Sequence, residues 1–294
     1  MPKRLSSVAT FFVLASFLVS CSKNYDEMVA PSNVTSSGTY YTTPASSLTS
    51  SGYNGLSVNF NNSANGAYGY AQSLLDFKSV NFWGEASRSS IVDGKLRISV
   101  LKNLLGGAGA NISRIDAPDG TEYQLSYDMM FDNNFDFSWG GKVGFGYLIG
   151  NGYTGGVPGT DGNGGSFRVM WYKNTSTGPV FLKPYVYYKD QPGTYGNDFG
   201  LKYPSNGTSI QKNTWYNVKM YMKSNTGSNT DGRIKLVING TTVMDQAIRW
   251  TTNDLQRMVK HVCFETFRGG AETYWQSSTD GYIYYDNVSF TKLQ

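Results

Sequence analysis

The chain has 294 residues, of which 39% are hydrophobic, 15% aromatic and 16% charged, enough to bury a large core and to exclude a disordered polypeptide. With 34 Gly and 22 Tyr against 9 Met and one His, turns and strands are favoured over helices, a zinc site of two or three His ligands is excluded, and a Ser-His-Asp triad would depend wholly on His261. A formal charge of +4 without a basic tract excludes a nucleic-acid partner.

In chain order, Lys3 and Arg4 precede an apolar run over 8–19, too short for a stable transmembrane span, so residues 1–20 read as a signal peptide. Leu18-Val19-Ser20-Cys21 resembles the lipobox of bacterial lipoproteins, which implies cleavage before Cys21 and a lipid on its sulfur. Lys23, Asp26 and Glu27 are similar to the surface-export signal of Bacteroidetes lipoproteins, so an outer-membrane, cell-surface location is expected, with the periplasmic face as the alternative and membrane contact only through the lipid. If Cys21 is acylated, Cys263 has no disulfide partner; it lies in an apolar strand pattern and is expected to be buried. Residues 21–52, rich in Ser and Thr and carrying Pro31 and Pro44, read as a flexible tether. Residues 53–294 show no internal repeat and are expected to form one domain, acting as a monomer.

Within that domain, residues 91–98 read as a hairpin on an Asp93-Gly94 turn. Over 122–131, Tyr123, Leu125, Tyr127, Met129 and Phe131 alternate with polar residues, a half-buried strand. Further strands are predicted over 142–149, 166–172, 185–188, 215–222, 234–238 (ending in an Asn239-Gly240 turn), 261–267 and 282–290. A short helical turn capped by Asn253 fits 251–258, and no long amphipathic helix competes. The expected fold is all-β, an antiparallel β-sandwich of the jelly-roll, concanavalin-like kind.

The chemistry concentrates between 140 and 188. Alternation puts Ser166 and Arg168 on one strand face, opposite Phe167, Val169 and Trp171, and it pairs Tyr185 with Tyr187; a hairpin between these strands would gather all four polar groups. Lys142 follows Gly140-Gly141, a run that lets backbone approach a ligand. Gly140-Gly141-Lys142, Ser166-x-Arg168 with Met170-Trp171, Tyr185-x-Tyr187, Thr214-Trp215, Asp231-Gly232, Asn239-Gly240 and Thr266-Phe267-Arg268-Gly269-Gly270 resemble, in order, polysaccharide lyase family 14, the jelly-roll alginate and polyuronate lyases. The resemblance implies Lys142, Ser166, Arg168, Tyr185 and Tyr187 as functional residues, an acidic polysaccharide (alginate or a glucuronan) as substrate, β-elimination as the reaction, and neither cofactor nor metal. Two departures stand out: Val143-Gly144-Phe145-Gly146 replaces the family's usual Leu-Pro-Gly after the lysine, and the connection over 174–184 is longer.

In the expected chemistry Arg168 and Lys142 meet the substrate carboxylate and Ser166 orients it. Tyr187 is the general base or combined base and acid, with Lys142 as the alternative base, and Tyr185 donates or positions. Other readings remain. Tyr-x-Tyr on its own is most often sheet packing. His261, Cys263 and Glu265 share a face that reads as structural more readily than as a metal site, and neither Glu265 nor Glu272 has an evident carboxylate partner for hydrolysis. Calcium loops at Asp161, Asp198 or Asp280 lack EF-type spacing. Trp139, Trp171 and Trp275 are core or sugar-stacking. A non-catalytic glycan-binding lipoprotein of the same fold is the alternative function. A glycoside hydrolase would need two flanking carboxylates, and no Glu-x-Asp-x-x-Glu pattern is present.

Overall fold

The computed structural model describes residues 54–294; the expected signal peptide, Cys21 and tether lie outside the described residues. In chain order the strands are β1 (Gly55–Val58), β2 (Gly66–Ala67), β3 (Val80–Phe82), β4 (Ser89–Val92), β5 (Lys95–Val100), β6 (Asn111–Gly120), β7 (Glu122–Phe131), β8 (Gly140–Lys142) and β9 (Phe145–Gly150). There follow β10 (Gly164–Tyr172), β11 (Phe181–Tyr187), β12 (Trp215–Lys223), β13 (Gly232–Ile238), β14 (Thr241–Ile248), β15 (Val259–Arg268) and β16 (Gly281–Lys292), and one helix, α1 (Tyr70–Phe77), precedes β3. They form two antiparallel sheets. One runs β14-β13-β12-β7-β16-β5-β4-β2 with β1 on β16; the other runs β11-β10-β8-β15-β6-β3, with β9 between β10 and β15. This is the expected all-β jelly-roll sandwich.

The sheets meet through their apolar faces. Tyr123, Leu125, Tyr127, Met129 and Phe131, the predicted inner face of β7, are buried, as are Phe145, Tyr147, Phe167, Val169, Trp171, Val262 and Phe264 from the opposing sheet. Aromatic packing joins the layers: the Phe145 and Phe264 rings stack with centroids 4.4 Å apart, and Tyr127 and Tyr285 reach across to Phe145. Much of the Tyr excess is therefore core. The tight turns form where predicted, with positive φ at Asp93, Gly94, Asn239 and Gly240. Asn253 caps the short 3-10 turn Asp254–Gln256 by accepting from the Leu255 N–H.

Several expectations are corrected. The strand predicted over 142–149 is broken into β8 and β9, because Gly144 takes φ 81° and its backbone lies so close to the Tyr127 ring that a Cβ there would collide with it. The Gly140-Gly141 pair serves packing: a Cβ at Gly141 would collide with the Trp171 ring and the Phe267 carbonyl. Strand β6 had no alternating signature because its inward positions include Asn111 and Ser113, buried polar residues that satisfy each other through a 2.6 Å hydrogen bond. Helix α1 carries little helical signature in the sequence, because it is short and has Tyr70, Leu74 and Leu75 on its exposed side.

Candidate active site

Strands β10 and β11 are antiparallel neighbours, with Ser166 facing Tyr187 and Arg168 facing Tyr185. Lys142 closes β8 beside them, opposite Met170 on β10 and Phe267 on β15. The five predicted residues thus gather on the face of this sheet turned away from the core. The Lys142 Nζ lies 3.7 Å from the Tyr185 ring centroid and 4.0 Å from Met170 Sδ. The Arg168 guanidinium carbon sits 5.5 Å from each tyrosine ring centroid, and the two rings meet edge to face at 5.6 Å.

A sixth residue completes the cluster. Arg168 Nη1 donates to Glu265 Oε2 at 2.7 Å, and Arg114 Nη2 pairs with the other carboxylate oxygen at 3.1 Å. The two arginines come from β6 and β10. Gly146 helps make this possible, since a Cβ there would press on the Arg168 side chain and the Phe167 carbonyl. Arg168 is itself buried, and its Nε and Nη2 have no hydrogen-bond partner among the described residues. Its side chain is about as buried as that of Lys142, beside the Tyr185 and Tyr187 rings.

These surroundings set the protonation states. Burial opposes the Glu265 charge, yet Arg168 and then Arg114 outweigh it and hold the carboxyl at about 2. Burial and the adjacent Arg168 cation push the Lys142 amine well below the ordinary lysine value, with Glu265 only partly offsetting them. Burial and the neighbouring Tyr187 push Tyr185 above the ordinary phenol value, so it stays protonated. An amine whose positive charge is disfavoured thus lies beside a protonated phenol and the Arg168 guanidinium.

Ser166 has a different task from the one expected. It is fully buried and its hydroxyl donates to the Tyr153 carbonyl at 2.7 Å, pinning the 151–163 loop; it does not reach the groove to orient a carboxylate. The same loop reaches Tyr187, whose hydroxyl accepts the Gly156 N–H at 3.0 Å. Among the described residues no three His, Cys, Asp or Glu side chains converge as metal ligands. Asp161 instead accepts from the Tyr153 hydroxyl and Asn163, Asp198 pairs with Lys183 at 2.9 Å, and Asp280 accepts the Lys102 N–H. His261 lies 3.7 Å from Asp116. Cys263 is buried, and burial followed by the Glu265 charge pushes its thiol up to about 12, an unreactive state. Trp171 is core, its N–H given to the Phe137 carbonyl, whereas Trp139 and Trp275 pack on Tyr274 and are partly exposed.

Residues 104–288, more than half of the chain, match Polysaccharide lyase 14. The chain belongs to that family. Among solved structures, this family member is 58% identical to alginate lyase Aly36B, which covers 82% of this chain and 98% of its own at a TM-score of 0.79. Variants of Aly36B lacking a lysine together with a tyrosine or a methionine are known in complex with alginate tetrasaccharide and trisaccharide. The marine PL-14 alginate lyase of Aplysia kurodai, 23% identical with 80% of this chain and 98% of that chain covered, has a TM-score of 0.58 and shares the fold. The curated protein Exolysin of Paramecium bursaria Chlorella virus 1 is 29% identical over 189 residues, which are 57% of this chain and 29% of the Exolysin length.

Proposed function

We propose that this protein cleaves alginate by β-elimination at the Lys142 cluster. The observation that carries the reading is the Lys142 amine, buried against the Tyr185 ring beside Arg168 and kept below its ordinary pKa. The neutral amine takes the C5 proton of a uronate; the C5–H electron pair forms the C4=C5 double bond as the C4–O bond breaks. Tyr185 gives its phenolic proton to the departing oxygen, and the Lys142 ammonium then returns a proton to the phenolate. Arg168, held by Glu265, supplies a fixed positive charge under the enolate-like transition state, where little reorganisation is needed. Tyr187 holds the tyrosine pair against the 151–163 loop and is not the base in this scheme. The 58% identity to an alginate lyase supports the substrate class.

Lipidation at Cys21 and display at the outer membrane belong to the same proposal and rest on the Leu18-Val19-Ser20-Cys21 run.

Incubating the protein with polymannuronate, polyguluronate and glucuronan and following ultraviolet absorbance from unsaturated ends tests the reading. Absorbance should rise with at least one of the two alginate polymers. No rise with any polyuronate over a broad pH range, combined with retention on alginate, would replace the lyase by a glycan-binding protein. A rise with glucuronan alone would move the substrate.

A further inference from the structure

At the far edge of the same sheet, Val80 of β3 faces Ile115 of β6 while Phe82 faces Arg114, with a register shift between them. In an unbroken strand Val80 and Phe82 would point to the same side. The bulge at Asn81 separates them: Val80 enters the core, and Phe82 turns to the opposite face with 43% of its surface exposed. A large apolar ring is thereby kept out of the core and set on the face that carries the candidate active site.

Its neighbour there is a cation. The Arg114 guanidinium carbon lies 5.8 Å from the Phe82 ring centroid, and its nitrogens reach Glu265 and the Ser113 carbonyl. Pairing across the strands sets Gly146 beside Cys263, Cys263 beside Arg114 and Arg114 beside Phe82, in line with Arg168 and Tyr185. Six strands at about 4.8 Å spacing give this row a length of about 24 Å, room for several sugars. One carboxylate, Glu265, is shared by two guanidinium groups, so the row keeps a positive charge suited to an anionic polymer.

We propose that Phe82 and Arg114 form a distal sugar-binding subsite, in which the Phe82 face stacks on a pyranose ring and Arg114 pairs with the carboxylate of a uronate bound away from the reacting unit. The proposal rests on the polyuronate reading of this groove. Arg114 suits the role because its planar fork matches a carboxylate and its side chain, 18% exposed, lies at the groove surface. Polymer bound along the row crosses the strands from the Tyr185 end to the β3 edge, so this subsite contributes only when the substrate is long enough to reach it.

The test compares the unchanged protein with Phe82→Ala and Arg114→Gln, using alginate oligosaccharides of increasing length, with circular dichroism to establish that each variant is folded. For Phe82→Ala the KM for long oligosaccharides should rise about tenfold, the loss of one aromatic contact, while kcat and the KM for the shortest cleaved oligosaccharide stay unchanged. Because Arg114 also holds Glu265, Arg114→Gln is judged by the ratio: the KM for long oligosaccharides should rise more than the KM for the shortest. Unchanged KM at every length in Phe82→Ala, or an equal rise for the shortest substrate, overturns the subsite. If the unchanged protein makes no product from any polyuronate, the lyase reading falls, and retention on an alginate gel judges the subsite separately. Weaker retention of Phe82→Ala supports it, and equal retention overturns it.

Discussion

The charge on Lys142 is opposed three times, by burial, by the Arg168 guanidinium and by the Lys183 ammonium, and favoured once, by Glu265. A base must be neutral to accept a proton, so activity is expected to fall as pH falls through the lowered lysine pKa. The alkaline limb lies above the ordinary phenol range, since Tyr185 must keep its proton and its pKa is raised. Glu265→Gln removes the one anion that favours the ammonium, which shifts the acid limb of kcat/KM to lower pH; a limb that stays put or moves up counts against Lys142 as base. Lys142→Arg, which keeps the charge but cannot become neutral, should lower kcat by about 10²–10⁴-fold in a folded protein. The pairing of Ser166 and Arg168 with two tyrosines could be read from strand alternation, because side-chain direction follows from local period. The partnership of Arg168 with Glu265 could not, since it joins strands far apart in sequence through a register that no local pattern encodes.

Among the elements, the β8–β9 break shows what the lysine motif costs structurally. Gly144 and Gly240 have nearly the same φ, 81° and 79°, but Gly144 lies against the Tyr127 ring and Gly240 has open space around its Cβ position. Substitution by Ala imposes the same left-handed strain at both, about 1–2 kcal/mol, so any excess loss at Gly144 measures the collision with Tyr127. Chemical denaturation should find Gly144→Ala less stable than Gly240→Ala by a further ~1–3 kcal/mol. Equal losses would mean that the break yields and the tyrosine moves aside. Hairpins built on Asp93-Gly94 and Asn239-Gly240 were legible because positive φ selects those residue types. Strand β6 was not, because buried Asn111 and Ser113 trade apolar contact for mutual hydrogen bonding and erase the alternation.

For the whole molecule, native ionisation sets the response to acid. Burial opposes charge on Glu265, but Arg168 and Arg114 depress its pKa to about 2; Asp136 and Asp198 are also depressed, despite burial, by hydrogen bonds and nearby cations. Groups with depressed folded pKa values stabilise the fold above their unfolded values near 4 and lose that contribution as pH falls towards the folded ones. His261 adds an earlier decline: burial lowers its pKa, so the unfolded chain gains its proton first as pH drops below about 6.5. Tm should therefore ease downward below about 6.5 and fall steeply below about 4; a Tm unchanged to pH 3 would contradict the buried Arg114–Glu265–Arg168 network.

By itself the sequence determined the two-sheet architecture, the turns, and the family to which the site residues belong. Alternation and turn chemistry are local, and each strand carries them within a few residues. Only the tertiary structure decided that Glu265 anchors Arg168, that Ser166 serves the 151–163 loop, that the Lys142 charge is disfavoured, and that Phe82 lies on the face of the candidate site. Each of these depends on which strands lie side by side and in what register, and electrostatic shifts of this size arise only between groups brought within a few ångströms in a shielded interior.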